Sequence, residues 1–296
     1  IARKFFKMSN ISLSWFQTKK LIKKTWIIGV ATFCTALSFR VDIFILKILA
    51  PQGSRTIALF HVPHMVVLQL QVIAVALVTA LFPTFSRFAA SNQSDKAYLE
   101  IRDYAFRFLS VSGIWIAMFL IIFAKPLILL LGGSSYLESV SPMKILAWCI
   151  PILFLNYLST NLLTSFKRQN VLIVGAAVSL VINVILDITL IPSLGAEGAA
   201  WGTLIAYTSQ LMIAFGFLMS IGDRSWGLWN SIGIPVLMGL AALFLWSFAF
   251  DAFENLLPLF GSGFLLALLV GFYVIQPKQL KNLLKAFFRT RRSPHV

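Results

Sequence analysis

The sequence predicts an all-α, polytopic membrane protein with eight transmembrane helices. Hydrophobic residues make up 59% of the 296-residue chain and charged residues only 12%, which is typical of membrane chains. Eight apolar stretches are long enough to cross a hydrocarbon core of about 30 Å, which takes roughly 20 helical residues. These stretches lack the alternating pattern of about 10 residues that transmembrane β-strands show.

The predicted spans are arranged as one six-helix lobe, at residues 25–220, and an accessory helix pair at 221–276. The last two spans carry no charge and hardly a polar residue, so we expect a peripheral hairpin facing lipid. A basic amphipathic linker is predicted at 1–24 and a basic cytoplasmic tail at 277–296. In order, the eight spans are 25–49, 57–82, 106–131, 143–166, 171–191, 199–220, 228–250 and 257–276.

The basic charge of the chain follows the predicted topology. Of the 25 Lys and Arg residues, 20 fall in segments on one side of the predicted membrane and 3 on the other. The positive-inside rule therefore places both ends of the chain in the cytoplasm. Because the membrane explains the net charge of +15, no nucleic-acid partner is expected. Since Ile1 rather than Met begins the chain, we expect further sequence upstream.

The first span contains the residues whose insertion into the membrane costs the most free energy. Arg40 and Asp42 lie past its midpoint, where a charge costs several kcal/mol. Two residues correspond to about 200° of helix, so these side chains cannot pair directly. Two interpretations of Arg40 stay open at this point, namely contact with an anionic substrate and a structural ion pair with Asp187.

The second span carries His61 and His64, and Pro83 is predicted to close it. A metal site is not expected, because no third ligand follows the histidines at a recognisable spacing. We interpret them as interfacial or cavity-facing residues. The segment after this span, which includes Arg102, is expected to be a solvated loop.

Polar residues also mark the fourth and fifth spans. Asn156 and Thr160 begin a stripe at four-residue steps, which either lines a hydrophilic cavity or makes hydrogen bonds between helices. Asn183 and Asp187 share one face near the end of the fifth span. Because the sixth span begins with small residues, including Gly202, we expect its backbone to approach a neighbouring helix closely. A polar face on one helix and a small-residue face on the next predict a packed interior with a hydrated seam.

Taken together, the motifs resemble the C-terminal half of a polysaccharide flippase of the multidrug/oligosaccharidyl-lipid/polysaccharide exporter superfamily. The resemblance covers roughly residues 25–220. It rests on R-V-D in the first span, F-P-T-F-S-R at the end of the second, N-x-x-x-D in the fifth, and L-I-P-x-x-G-A-E-G-A-A before the sixth. The second span departs from the family's Gly/Tyr-containing start, which leaves lipid II flippases and general polysaccharide exporters both open.

The resemblance implies alternating access by two six-helix lobes, which move undecaprenyl-pyrophosphate-linked sugar units across the bacterial cytoplasmic (inner) membrane for cell-surface polysaccharide synthesis. This chain would be the C-terminal half, working with a missing N-terminal six-helix lobe. Its expected partners are a polyprenyl-pyrophosphate-linked glycan and membrane lipids. No cofactor, metal or catalytic residue is expected, because the sequence has no P-loop, nucleophile elbow or outward carboxylate pair.

The substrate predicts the kind of side chain that would bind it. A pyrophosphate favours an arginine, which can contact two oxygens at once, and a sugar favours amides and hydroxyls. The predicted substrate-binding residues are Arg40, Asp42, Asn156, Thr160, Asn183 and Asp187.

Other functions are weighed against this one. A lipid II flippase, or a cation-coupled drug antiporter of the same superfamily, is the alternative; the antiporter would use Asp42 or Asp187 as its buried carboxylate. A membrane glycosyltransferase or acyltransferase would need a sizeable catalytic loop, and the loops here are short. A purely structural scaffold gives no reason for Arg40 and Asp42.

Overall fold

A computed structural model describes residues 40–50, 53–90 and 96–221, with a few positions between 26 and 37. Every regular element in this part of the chain is a helix, which confirms the all-α prediction. Five helical segments here are long and apolar enough to cross a membrane, judged by length and composition. The protein is thus a polytopic membrane protein. The predicted linker, accessory helix pair and tail lie outside the described residues.

The helices are numbered in chain order. Helix α1 occupies residues 40–49 of the described chain. The others are α2 (Gly53–Leu70), α3 (Val72–Ala90), α4 (Lys96–Ile122), α5 (Ala124–Gly132), a 3₁₀ helix (Ser134–Ser139), α6 (Val140–Ala147), α7 (Cys149–Ser165), α8 (Asn170–Leu194) and α9 (Ala196–Ile221).

Helices α2 and α3 together form one candidate span, Gly53–Arg87, with a break at Gln71. The prediction that Pro83 closes this helix is wrong, because α3 continues through Pro83 to Ala90. Proline is tolerated inside membrane helices, where local adjustment and neighbouring groups satisfy the freed backbone carbonyl. The F-P-T-F-S-R motif therefore lies within α3 and does not mark the end of the helix.

The prediction of a solvated loop after the second span is wrong for Arg102. Helix α4 begins at Lys96, and the Arg102 side chain is only 3% exposed. Its Nε and Nη2 atoms donate to Asp103 Oδ1 at 2.9 and 2.8 Å, and its guanidinium lies 5.8 Å from the centre of the Tyr98 ring. The ion pair and the ring compensate for the burial of the charge.

Helix α7 lies at the centre of the described bundle, where it packs against α3, α4 and α9. Phenylalanines from four helices fill the interior around it and are fully or almost fully buried: Phe60, Phe85, Phe106 and Phe154. Helices α4 and α7 are in close contact at Gly113, whose Cα faces Pro151. The apolar core therefore holds α7 in place.

Helices α8 and α9 form an extensively packed hairpin. Their connection is the single residue Gly195, which adopts φ 56°, a left-handed conformation that glycine adopts without steric cost. The turn between the two helices lies here, and Pro192 belongs to the last turn of α8. Such a short link fixes the register between the two helices.

Candidate functional site: a buried carboxyl cluster

Three helices bring four polar side chains together in the apolar interior. Asp42 comes from α1, Asn183 and Asp187 come from α8, and Thr203 comes from α9. None of the four is more than 2% exposed, and Asp187 is completely buried. We call this group the carboxyl cluster. Asn183 and Asp187 both reach it because residues four apart lie on the same helix face.

The two carboxyl groups of the cluster face each other. Asp42 is adjacent to the side chains of Asp187 and Asn183. The Thr203 hydroxyl lies 3.2 Å from Asp42 Oδ2 and 2.8 Å from the backbone oxygen of Ala199. A hydroxyl has one proton, so Thr203 cannot fully satisfy both acceptors. The shorter distance favours Ala199, so Thr203 is a weak donor to Asp42 and the adjacent Asn183 amide is a second donor.

The carboxyl cluster has more hydrogen-bond acceptors than donors. Within the described structure, Asp42 Oδ1, both Asp187 carboxyl oxygens and Asn183 Oδ1 are buried without a hydrogen-bond partner. An unsatisfied buried polar group costs about 1–3 kcal/mol, and more if it is charged. Two adjacent carboxylates in a low-dielectric interior also repel each other strongly. The arrangement therefore favours the binding of positive charge.

The donor set fits either a proton or a small hard cation. Carboxylate, amide and hydroxyl oxygens are the ligands that hard cations prefer. In the part of the chain that the structure describes, there is no group of three or more His, Cys, Asp or Glu side chains that could hold a metal ion. A cation in the carboxyl cluster would consequently depend on the oxygens of Asn183 and Thr203 as well as on the two carboxylates.

The predicted close approach of the small-residue start of α9 is confirmed, and the neighbouring surface is the polar face of α8. Gly202 is buried against α8, and a methyl group added to its Cα would lie 2.5 Å from Asp187 Oδ1. One helical turn before Asn183, the Ser179 hydroxyl of α8 donates to the backbone oxygen of Ala206 in α9 at 2.8 Å. The cluster thus lies where α8 and α9 are in close contact.

Asn156 and Thr160 lie outside the carboxyl cluster. Asn156 is 7% exposed, and its Nδ2 atom donates to the backbone oxygen of Tyr207 at 3.0 Å. Thr160 is half-buried, and its backbone oxygen accepts the Thr164 hydroxyl at 2.8 Å. Of the two roles left open for this stripe, Asn156 therefore performs the hydrogen bonding between helices.

Arg40 lies on a different face of α1 from Asp42 and is exposed. No ion pair joins Arg40 to Asp187 among the described residues, because Asp187 is completely buried beside Asp42. The histidines of the second span also separate: His61 is exposed, whereas His64 is buried with its ring 5.0 Å from that of Phe60. The structure therefore joins Asp42, Asn183 and Asp187 but leaves Arg40 apart.

Sequence reasoning missed Thr203 and the part played by Gly202 beside Asp187. Both are on α9, across the turn at Gly195 from Asp187. Hydroxyls and glycines are common in membrane helices, so neither residue type draws attention by itself. The small-residue face of α9 was the available clue, since it placed this helix against the polar face of α8.

The comparisons with known proteins identify the family. The family model described as lipid II flippase MurJ matches residues 3–287. The chain belongs to this family. Membership of the MurJ family confirms the resemblance to flippases of the exporter superfamily that the motifs indicated.

A solved structure shows the same fold as this MurJ-family chain. It is a MOP superfamily transporter from Pyrococcus furiosus, whose described binding pocket has reverse polarity. The two chains are 17% identical with a TM-score of 0.56, and the match covers 75% of this chain and 53% of the other. The chain thus spans about half the length of that transporter. No curated protein matches the sequence.

Proposed function

We propose that the protein takes part in moving a polyprenyl-linked glycan precursor across the bacterial cytoplasmic membrane, and that this precursor is lipid II. The observation that carries the proposal is the MurJ family match over residues 3–287. It favours the lipid II alternative over the larger polysaccharide units that the motifs first indicated. The protein acts as a transporter and not as an enzyme, since moving the substrate breaks no covalent bond.

The proposed transport uses alternating access between two lobes. Transporters of this kind rock one repeat against another around a site near the middle of the bilayer. The chain matches about half of the Pyrococcus transporter, which supports the proposal that it supplies one lobe. A second, N-terminal six-helix lobe would complete the central cavity.

The carboxyl cluster is proposed as the site at which a cation drives this cycle. Asp42 belongs to α1, while Asn183, Asp187 and Thr203 belong to the α8–α9 hairpin. A bound Na⁺ or proton would attract both carboxyl groups and hold α1 against the hairpin. Without it, the repulsion between the carboxylates would favour their separation. Cation binding would therefore favour one conformation over the other, as coupling requires.

Arg40 is proposed to contact the pyrophosphate of the substrate. Its support is that the side chain is exposed, faces away from the carboxyl cluster and has no ion pair with Asp187 among the described residues. A guanidinium can contact phosphate oxygens through two parallel hydrogen bonds. This position on the same helix as Asp42 would connect substrate binding to the cation site.

The test is a transbilayer movement assay in proteoliposomes that contain the complete transporter. Lipid II and an undecaprenyl-pyrophosphate-linked polysaccharide unit are compared, each with and without a Na⁺ or proton gradient. We expect lipid II to move faster with one of these gradients. The variant Asp42→Asn should lose this dependence, whereas Glu100→Gln, which changes an exposed carboxylate on α4, should retain it.

Each contrary result removes a defined part of the proposal. Movement of the polysaccharide unit but not of lipid II would overturn the substrate assignment. Efflux of cationic drugs without movement of either lipid would favour the antiporter, which could use the same carboxyl groups. Gradient-driven movement that survives Asp42→Asn would exclude the carboxyl cluster as the coupling site.

A further inference from the structure

Gly202 lies beside the carboxyl cluster but has no side chain to contribute to it. A methyl group on its Cα would lie 2.5 Å from Asp187 Oδ1 and 3.6 Å from Asn183 Nδ2. Real contacts of a Cβ atom are essentially never shorter than 3.0 Å. The Asp187 carboxyl group therefore occupies space that only glycine leaves open at this position.

We propose that Gly202 is a positioning residue for cation binding: the missing side chain lets Asp187 reach Asp42 closely enough for both to bind one Na⁺. This inference rests on the proposed cation site. Any larger residue at position 202 would push Asp187 Oδ1 away, and the oxygens of the carboxyl cluster would no longer converge. The glycine thus acts on the ion through Asp187.

A comparison with Gly198 distinguishes this role of Gly202 from ordinary helix packing. Gly198, one turn earlier on α9, faces the backbone of Leu190, and a methyl group there would lie 2.6 Å from its carbonyl carbon and oxygen. Gly198 is therefore needed for the approach of the two backbones. At Gly202 the nearest atom is instead the end of a side chain, which can rotate without moving either helix.

This difference predicts that Gly202→Ala spares the fold and damages the site. Alanine is a better helix former than glycine, and the only short contact of its methyl group is with a movable carboxyl oxygen. Groups that orient a metal ligand typically change metal affinity by about 10- to 100-fold when they are altered. We expect the half-saturating Na⁺ concentration to rise by a factor in this range.

The experiment measures thermal unfolding of the purified full chain in lipid nanodiscs over a range of NaCl concentrations, with choline chloride keeping the ionic strength constant. A ligand that binds only the folded state raises its stability in proportion to ln(1 + [L]/Kd), so the curve gives the half-saturating Na⁺ concentration. Gly216→Ala is the matched control, because it lies on the same helix and a methyl group there meets no atom within 4 Å.

Support for the inference requires two results together. Gly202→Ala must unfold at about the wild-type temperature in choline alone, and its half-saturating Na⁺ concentration must rise while that of Gly216→Ala does not. An unchanged Na⁺ response in Gly202→Ala would overturn the role of Gly202 and leave the cation site standing. Failure of Gly202→Ala to fold would also overturn it, since the proposed contact involves only the end of Asp187. A wild-type protein that does not respond to Na⁺ would refute the Na⁺ site itself, and this inference with it.

Discussion

Asn156→Leu is expected to leave the protein at least as stable as the wild type and still active. The change removes one bond, from Asn156 Nδ2 to the Tyr207 backbone oxygen, and such interhelical bonds average about 0.6 kcal/mol in membranes. It also removes Asn156 Oδ1, which is buried without a donor and costs about 1–3 kcal/mol. The Tyr207 oxygen lies inside α9 and keeps its helical partner. The net effect is zero to about 2 kcal/mol of stabilisation.

Thermal unfolding and lipid II movement together check this prediction. If Asn156 holds helices together, Asn156→Leu retains transport and unfolds at the wild-type temperature or slightly above it. The control is Asn183→Leu, which places the same side chain in the carboxyl cluster and should remove the stabilisation by Na⁺. A stable Asn156→Leu protein that no longer moves lipid II would refute the reasoning and restore Asn156 as a sugar contact.

Two further predictions concern packing and surface charge. Gly113→Ala should lower the unfolding temperature, because its methyl group would lie 2.7 Å from Pro151 Cα and overpacking of a core costs about 1–3 kcal/mol; an unchanged temperature would show that α4 and α7 separate easily. Glu138→Gln should leave the unfolding temperature nearly unchanged, although it breaks the 2.8 Å ion pair with Arg55. Both side chains are more than half exposed, and exposed pairs contribute about 0–1 kcal/mol, so a large decrease would indicate a buried role.

The fold class could be predicted because membrane helices are governed by length and hydrophobicity. Helix ends were harder to predict. Pro83 is a helix breaker in water, but the structure keeps it inside α3. Arg102 is a solvated residue by its type, yet Asp103 and Tyr98 allow it to be buried. For Arg102 the deciding partners are local, but their effect depends on an environment that composition does not describe.

The candidate site could be predicted only in part. The high cost of charge in a membrane singled out Asp42 and Asp187, and helical spacing placed Asn183 beside Asp187. The sequence could not show that Asp187 would meet Asp42, because that depends on how α1 packs against the hairpin. Charge complementarity instead suggested a pair between Asp187 and Arg40 as one of two open interpretations of Arg40. Two adjacent carboxyl groups are unexpected on electrostatic grounds alone. A proton or a cation between them would remove the repulsion between the carboxylates.

The single-residue link at Gly195 also limits how this bundle can move. A one-residue connection, with Gly198 against the backbone of Leu190, prevents α8 and α9 from sliding past each other by a helical turn. Asn183, Asp187 and Thr203 therefore travel as one rigid body, and their mutual geometry survives a change of conformation. Only Asp42, on α1, can approach or withdraw. In the proposed cycle, release of the cation would therefore depend on movement of α1, the helix that also carries Arg40.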